Sequence, residues 1–473
     1  MTENSRAYPN GTLASSVIGT VGVDAEGLAG IEFQLNDMLL VNNVKDAYKR
    51  DARGHLYLSP SAADEKKKPP HVELTIDRTI QHIAERELSA AIEKARAKSG
   101  TAIVLDVTNG DVLAMATFPT FDPNKFGQHS VENWKNRAVI DAYEPGSTFK
   151  AMVIAGALDR QVVNPEQVFD CGMGKLVVGK DIVNDAHPHG KLSVADVVKV
   201  SSNIGAAKIE AQLGKENVYK LLREFGFGEA SGIDIPGEAR GILSNPKSWS
   251  DIQFVTIAFG QGVSATPLQM ALAFGALSNG GELLRPYLIK RVVGPDNVPL
   301  YERKKEVRSY PIRAETSNLM RKLLARVVEQ GGTGMLAASK EYLVAGKTGT
   351  AQKAGPNGGY MNGKYYSSFI GFAPVESPRI VVYVGVDEPK GYYYGGQVAA
   401  PVFKNITDDT LHYLSIPAQK GLVIASASVD SANLAEGPMP YQEGFEVSSV
   451  DAVLQKKEVV QSEERIKSEI SRV

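Results

Sequence analysis

Residues 101–117 read TAIVLDVTNGDVLAMAT. Two apolar runs, 101–107 and 112–117, flank Thr108-Asn109-Gly110-Asp111. Asn-Gly tolerates the positive backbone angles of a tight connection, so the pattern predicts two antiparallel strands. Upstream, apolar and polar residues alternate over 72–76 as in a short strand. Asp77 follows where it can cap a helix whose apolar face carries Ile80, Ile83, Ala84, Leu88, Ala91 and Ile92. Downstream, helical spacing starts close to Ser147, after the breaker Pro145 and the flexible Gly146, and runs to about residue 158. A mostly helical pattern fills 193–274, including 194–200, 206–213 and 218–225, with a further helix over 267–277. Three strand-like runs come last: 342–345 leading into Lys347, then 368–373 and 380–386. Helices in the middle and strands at both ends describe an α+β domain. Its central antiparallel sheet, flanked by helices, draws strands from distant sequence.

The chain has 473 residues, enough for two or three units and a large core. Its 43% hydrophobic and 22% charged content is that of a globular protein, and a net charge of -2 supplies no basic field for nucleic acid. The single cysteine, Cys171, excludes an intrachain disulfide. The seven histidines stand without a partner at metal-site spacing, and the glycine-rich patches at 260–262 and 331–332 lack a phosphate-loop ending. No cofactor or metal is expected. The chain as given carries neither a membrane span nor a signal peptide.

Composition divides it into three parts. Residues 1–65 are rich in Gly, Asp and short apolar patches, and the polar, charged run 59–68 reads as a hinge or loop before the main domain. Residues 66–416 hold the helices and strands just described. Residues 417–473 pass from a small-apolar stretch through a Pro/Gly segment to a charged end, as in a solvated tail or small appendage.

Three motifs carry the chemistry: Ser147-Thr148-Phe149-Lys150, Ser201-Ser202-Asn203 and Lys347-Thr348-Gly349-Thr350. Each occurs often by chance, as a helix cap or a surface turn; their order and context make the set specific. A serine hydroxyl needs a neighbour to accept its proton. Ser147 and Lys150, three apart at a helix start, lie on one face, and a desolvated lysine near a second cation is a competent base. Lys347 is placed to be that cation and to attract a substrate carboxylate. Ser201 offers a hydroxyl for proton relay, and Asn203 an amide able to orient the lysine and a substrate backbone. Thr348, Gly349 and Thr350 line a strand edge where an extended peptide could pair. The backbone N–H groups of Ser147 and Thr350 are the economical pair of oxyanion donors. Tyr392-Tyr393-Tyr394 reads equally as a substrate-facing loop or a packed turn.

With these motifs in place, the chain resembles the class B penicillin-binding proteins, and within them the division-specific septal transpeptidase. The resemblance covers nearly all of residues 6–415. It includes Arg6-Ala7-Tyr8-Pro9-Asn10-Gly11, 27–32, 51–54, Glu144-Pro145-Gly146, Gly260-Gln261-Gly262, 265–267 and 369–372. It implies the fold shared with serine β-lactamases, preceded by a non-catalytic pedestal of which residues 1–65 are a truncated part. It also implies a protein of the bacterial inner membrane with its catalytic domain outside the cytoplasm, this chain being a soluble piece. By the same resemblance Ser147 attacks the penultimate D-Ala of a peptidoglycan stem peptide, releases terminal D-Ala and passes the acyl group to an amine on a neighbouring stem. β-Lactams trap that acyl-enzyme. A membrane glycosyltransferase and divisome proteins are the implied partners. Ser-Ser-Asn resembles the division branch more than the Ser-x-Asp often met in the elongation branch. Residues 439–454 resemble the opening of a PASTA module. Two rivals stand beside this reading: a carboxypeptidase or β-lactamase-type hydrolase, and a non-catalytic wall-peptide scaffold or sensor. The first lacks an identifiable glutamate for water activation, and the second does not explain Ser147, Lys150 and Lys347 together.

Overall fold

The computed structural model describes residues 6–39, 48–50, 56–58, 70–294, 296–355, 358–419 and 448–449. At its centre is a five-stranded antiparallel sheet. The strands are β1 (Ser99–Asp106), β2 (Val112–Phe118), β3 (Ala345–Ala354), β4 (Tyr360–Ala373) and β5 (Ile380–Asp387), in the order β3-β4-β5-β1-β2. The predicted hairpin is β1 with β2, and Gly110 takes the left-handed angle at its turn, φ 84°. The other three strands return from the far end of the chain, so Ile380 pairs with Asp106 and Asp387 with Ser99.

The sheet is buried on both faces, and side-chain alternation sorts its residues between two cores. Ala102, Val104, Phe369, Val382 and Val384 face a layer made by α1 (Arg78–Ala95) and α9 (Ala400–Tyr413). Ile103, Leu105, Ile370, Phe372, Val381 and Tyr383 face the larger helical body. That body contains α2 (Lys150–Asp159), α3 (Val194–Val200), α4 (Asn203–Leu213), α5 (Lys215–Glu224), α6 (Asp251–Ile257), α7 (Pro267–Ser278) and α8 (Ala314–Ala325). Almost every residue of α2 is buried, so it is the hub of the body. Asp77 caps α1 as expected, accepting from the N–H groups of Thr79 and Ile80. Such a cap contributes about 1 kcal/mol.

Several expectations are corrected. The run at 342–345 is not a strand before Ala345: Tyr342 and Val344 are buried against the α1/α9 layer, which gives them a strand-like apolar pattern. Strand β4 begins at Tyr360, eight residues before the apolar run, because its first half is partly exposed and polar. The helix at Ser147 opens as a 3-10 turn over Gly146–Phe149 and becomes α-helical at Lys150. Helices α8 and α9 were not foreseen.

The N-terminal part is packed onto the sheet domain. Ala14, Val17 and Ile31 join the larger core, Ala14 N–H donates to Glu85 (2.8 Å), and Tyr8 and Asn124 exchange two 2.9 Å hydrogen bonds. The run expected to be a hinge at 59–68 and nearly all of the tail, including its resemblance to a PASTA module, lie outside the described residues. Among the described residues no helix is long and apolar enough to cross a membrane, and no group of His, Cys, Asp or Glu could hold a metal ion.

Candidate active site

The three motifs meet between the helical body and the free edge of β3. Gly146, at φ 58°, turns the chain into the 3-10 turn that carries Ser147. That turn is braced by Thr148, whose hydroxyl donates to the Pro145 carbonyl (2.7 Å), and by Gly146 N–H, which donates to the Gly260 carbonyl (3.3 Å). Gly260 must be glycine here. At φ 75°, a Cβ on it would lie 2.5 Å from the Gly146 oxygen.

Ser201 ends α3 in the left-handed region, φ 64°, and Ser202 begins α4 by accepting from Gly205 N–H (2.9 Å). A left-handed non-glycine residue stores backbone strain of roughly 1 kcal/mol. The corner turns Ser201 toward Lys150. Lys150 Nζ lies 3.0 Å from Ser147 Oγ and 3.1 Å from Ser201 Oγ, and donates to the Ser201 carbonyl at 2.5 Å. From the sheet side, Lys347 Nζ donates to the same Ser201 Oγ at 2.7 Å. The two lysines therefore share one cleft and one hydroxyl.

Both lysines are buried, whereas Ser147 and Ser201 keep partial exposure. Burial holds the Lys150 amine down at about 7, against the opposing charge of Asp185. Burial and the Lys150 charge together hold Lys347 well below the usual lysine range. Two ammonium groups in one buried cleft disfavour each other, so the pair readily yields one neutral amine.

Along β3 the alternation of faces assigns the rest. Gly349 faces the nucleophile's turn, and a Cβ there would lie 2.4 Å from Ser368 Oγ and 3.0 Å from Thr148 Cγ2. Thr348 and Thr350 point the other way. The Thr348 hydroxyl pairs with that of Thr333 at 2.8 Å, and the Thr350 hydroxyl accepts from Gly395 N–H at 3.0 Å. Their side chains hold the strand, which leaves the backbone as the means by which this segment meets a ligand. Asn203 is buried and donates its amide to the Asn184 carbonyl (2.8 Å); the hydrogen bonds of Lys150 run to Ser147 and Ser201, so the expected Asn203 contact with the lysine is not among them.

Sequence reasoning missed Asp185. Its carboxylate accepts from Ser202 Oγ (2.7 Å) and from the N–H groups of Asn203 (2.5 Å) and Ile204 (3.0 Å), at the start of α4. Thr333 was also missed. Asp185 precedes the motif by sixteen residues, across the short strand Lys191–Ser193 and α3, and no local pattern links them.

Residues 100–408 match the penicillin binding protein transpeptidase domain. The chain belongs to the class B penicillin-binding proteins. This transpeptidase is 37% identical over 432 residues to PenA of Neisseria meningitidis, named a probable peptidoglycan D,D-transpeptidase, covering 91% of the chain and 72% of that protein. It is 36% identical to stage V sporulation protein D of Bacillus subtilis, covering 96% and 70%. With the peptidoglycan D,D-transpeptidase FtsI of Escherichia coli the identity is 34%, covering 88% and 68%. Among solved structures, penicillin-binding protein 3 of Mycobacterium tuberculosis superposes with a TM-score of 0.78 at 32% identity, over 88% of this chain and 92% of that one. The expected fold and activity are thereby established: the protein is a serine-type peptidoglycan D,D-transpeptidase whose substrates are stem peptides and whose site binds β-lactams.

Proposed function

We propose that Ser147 is the acylated nucleophile and that the enzyme cross-links stem peptides during septal wall synthesis. The observation that supports this is the unbroken line Ser147 Oγ, Lys150 Nζ, Ser201 Oγ, Lys347 Nζ, with steps of 3.0, 3.1 and 2.7 Å. Neutral Lys150 takes the Ser147 proton as Oγ adds to the penultimate D-Ala carbonyl. The backbone N–H groups of Ser147 and Thr350 receive the developing oxyanion. Ser201, between the two amines, passes a proton to the departing D-Ala nitrogen, and Lys347 holds the donor carboxylate. The acceptor amine then attacks the acyl-enzyme, loses its proton to the same relay and frees Ser147. Asn203 serves by fixing the 184–185 segment to the corner.

The reading extends to architecture and context. Residues 66–416 are the catalytic unit, 1–65 a pedestal portion and 417–473 an appendage. The catalytic unit works outside the cytoplasm on a membrane-anchored protein, alongside a glycosyltransferase and divisome proteins. Intact-mass measurement after incubation with a penicillin is the test. A persistent adduct of one penicillin on the wild type, absent from Ser147→Ala with a nearly unchanged thermal midpoint, is expected. A labelled Ser147→Ala protein would refute the nucleophile, and rapid return of the wild type to its free mass would favour a hydrolase.

A further inference from the structure

The corner 201–203 is held from two sides. On the inside, Ser201 carries the hydrogen bonds of both lysines. On the outside, the Asn184 carbonyl takes the Asn203 amide, and Asp185 takes Ser202 Oγ and two backbone N–H groups at the start of α4. Three donors at the positive end of an eleven-residue helix converge on the Asp185 carboxylate, behind the corner that both lysines contact.

We propose that Asp185 is a positioning residue for the acylation step, which holds Ser201 between the lysines and brings a negative charge to the corner that Lys150 contacts. This rests on the reading of Ser147 as nucleophile and Lys150 as its base. The groups that bear on the charge or hydrogen bonding of Lys150 come to it from three sides. Ser147 lies on its own turn, Ser201 and Asp185 on the corner side and Lys347 on the strand. Cys171, which pairs with Ser202 Oγ at 3.6 Å, lies beside Asp185. Among them Lys347 repels a charge on Lys150 and Asp185 attracts one. Asp185 also opposes the effect of burial on Lys150.

Lys150 acts as a base only when neutral, so acylation falls as pH drops through its midpoint, near 7 in the wild type. Without the Asp185 charge the amine holds its proton less tightly, and the acid limb moves to lower pH. A role confined to shape would lower the plateau and leave the limb where it is.

The experiment is stopped-flow acylation by a penicillin between pH 5 and 9, with each rate normalised to its own plateau. Asp185→Asn and Asp185→Ser both keep an oxygen able to cap α4 and remove the charge, so either folded variant carries the test. Ser202→Ala keeps the charge and removes one tether. We expect the limb of the neutral variants to move down by at least about half a unit, which gives roughly twofold or more of plateau activity at pH 6 relative to wild type. The Ser202→Ala limb should coincide with wild type. A neutral variant with a reduced plateau and an unmoved limb would overturn the charge-setting role. Absence of any penicillin adduct on the wild type would instead overturn the Ser147 reading, and this inference with it.

Discussion

Glu210 lies in α4, seven residues or two turns below Asn203, and is completely buried. Neither carboxyl oxygen has a hydrogen-bond partner of normal geometry. Burial holds the group well above its ordinary 4.5, and the Ala258 N–H, which favours the anion, offsets this only in part. The folded protein therefore keeps Glu210 neutral at pH values where the unfolded chain ionises it. With a folded pKa above the unfolded one, the stability is fully present below 4.5 and is lost as pH rises toward the folded value. The loss runs at about 1.4 kcal/mol per pH unit, or up to about 3 kcal/mol between pH 5 and 7. Glu210→Gln removes the titration and keeps the shape. Urea unfolding of both proteins at pH 5, 6 and 7 should show the variant gaining up to about 3 kcal/mol on wild type over that interval. Any packing cost of the amide is independent of pH and cancels in the slope. Stability curves that run parallel would refute the reasoning and require a charged or hydrogen-bonded Glu210.

Two further outcomes follow from the site. Lys347→Ala removes a charged hydrogen bond of roughly 1.5 to 3 kcal/mol, so acylation should fall by about ten- to a hundredfold with a small change in thermal midpoint. Lys347→Arg should recover part of that loss, since it keeps the charge but alters geometry and bulk. Stopped-flow rates between pH 6 and 10 that coincide for wild type and both variants would remove Lys347 from the mechanism. Gly260→Ala places a Cβ 2.5 Å from the Gly146 oxygen at a left-handed angle. It should cost at least about tenfold in acylation and lower the thermal midpoint, because the turn carrying Ser147 must shift. Unchanged values of both would show that the turn is not set by this contact.

Much of this was legible locally. Short apolar runs separated by Asn-Gly announce β1 and β2 whatever lies around them, and Asp77 before an apolar helix face announces α1, because these signals arise within a few residues of chain. The motifs at Ser147, Ser201 and Lys347 named the site for the same reason: each is a short stretch whose residue types suit one chemical task. Tertiary structure decided what those stretches do to one another. That Lys150 and Lys347 share the hydroxyl of Ser201 depends on a left-handed corner between two helices and on an edge strand arriving from 146 residues away. That Thr348 and Thr350 turn from the cleft depends on which face of β3 meets the helical body. Asp185 and Glu210 are ordinary acids in the sequence; one becomes the anchor of a catalytic corner and the other a neutral core group only when packing selects their surroundings. Solvation and charge pairing depend on distances through space, and one-dimensional patterns carry those distances only within a turn or a strand.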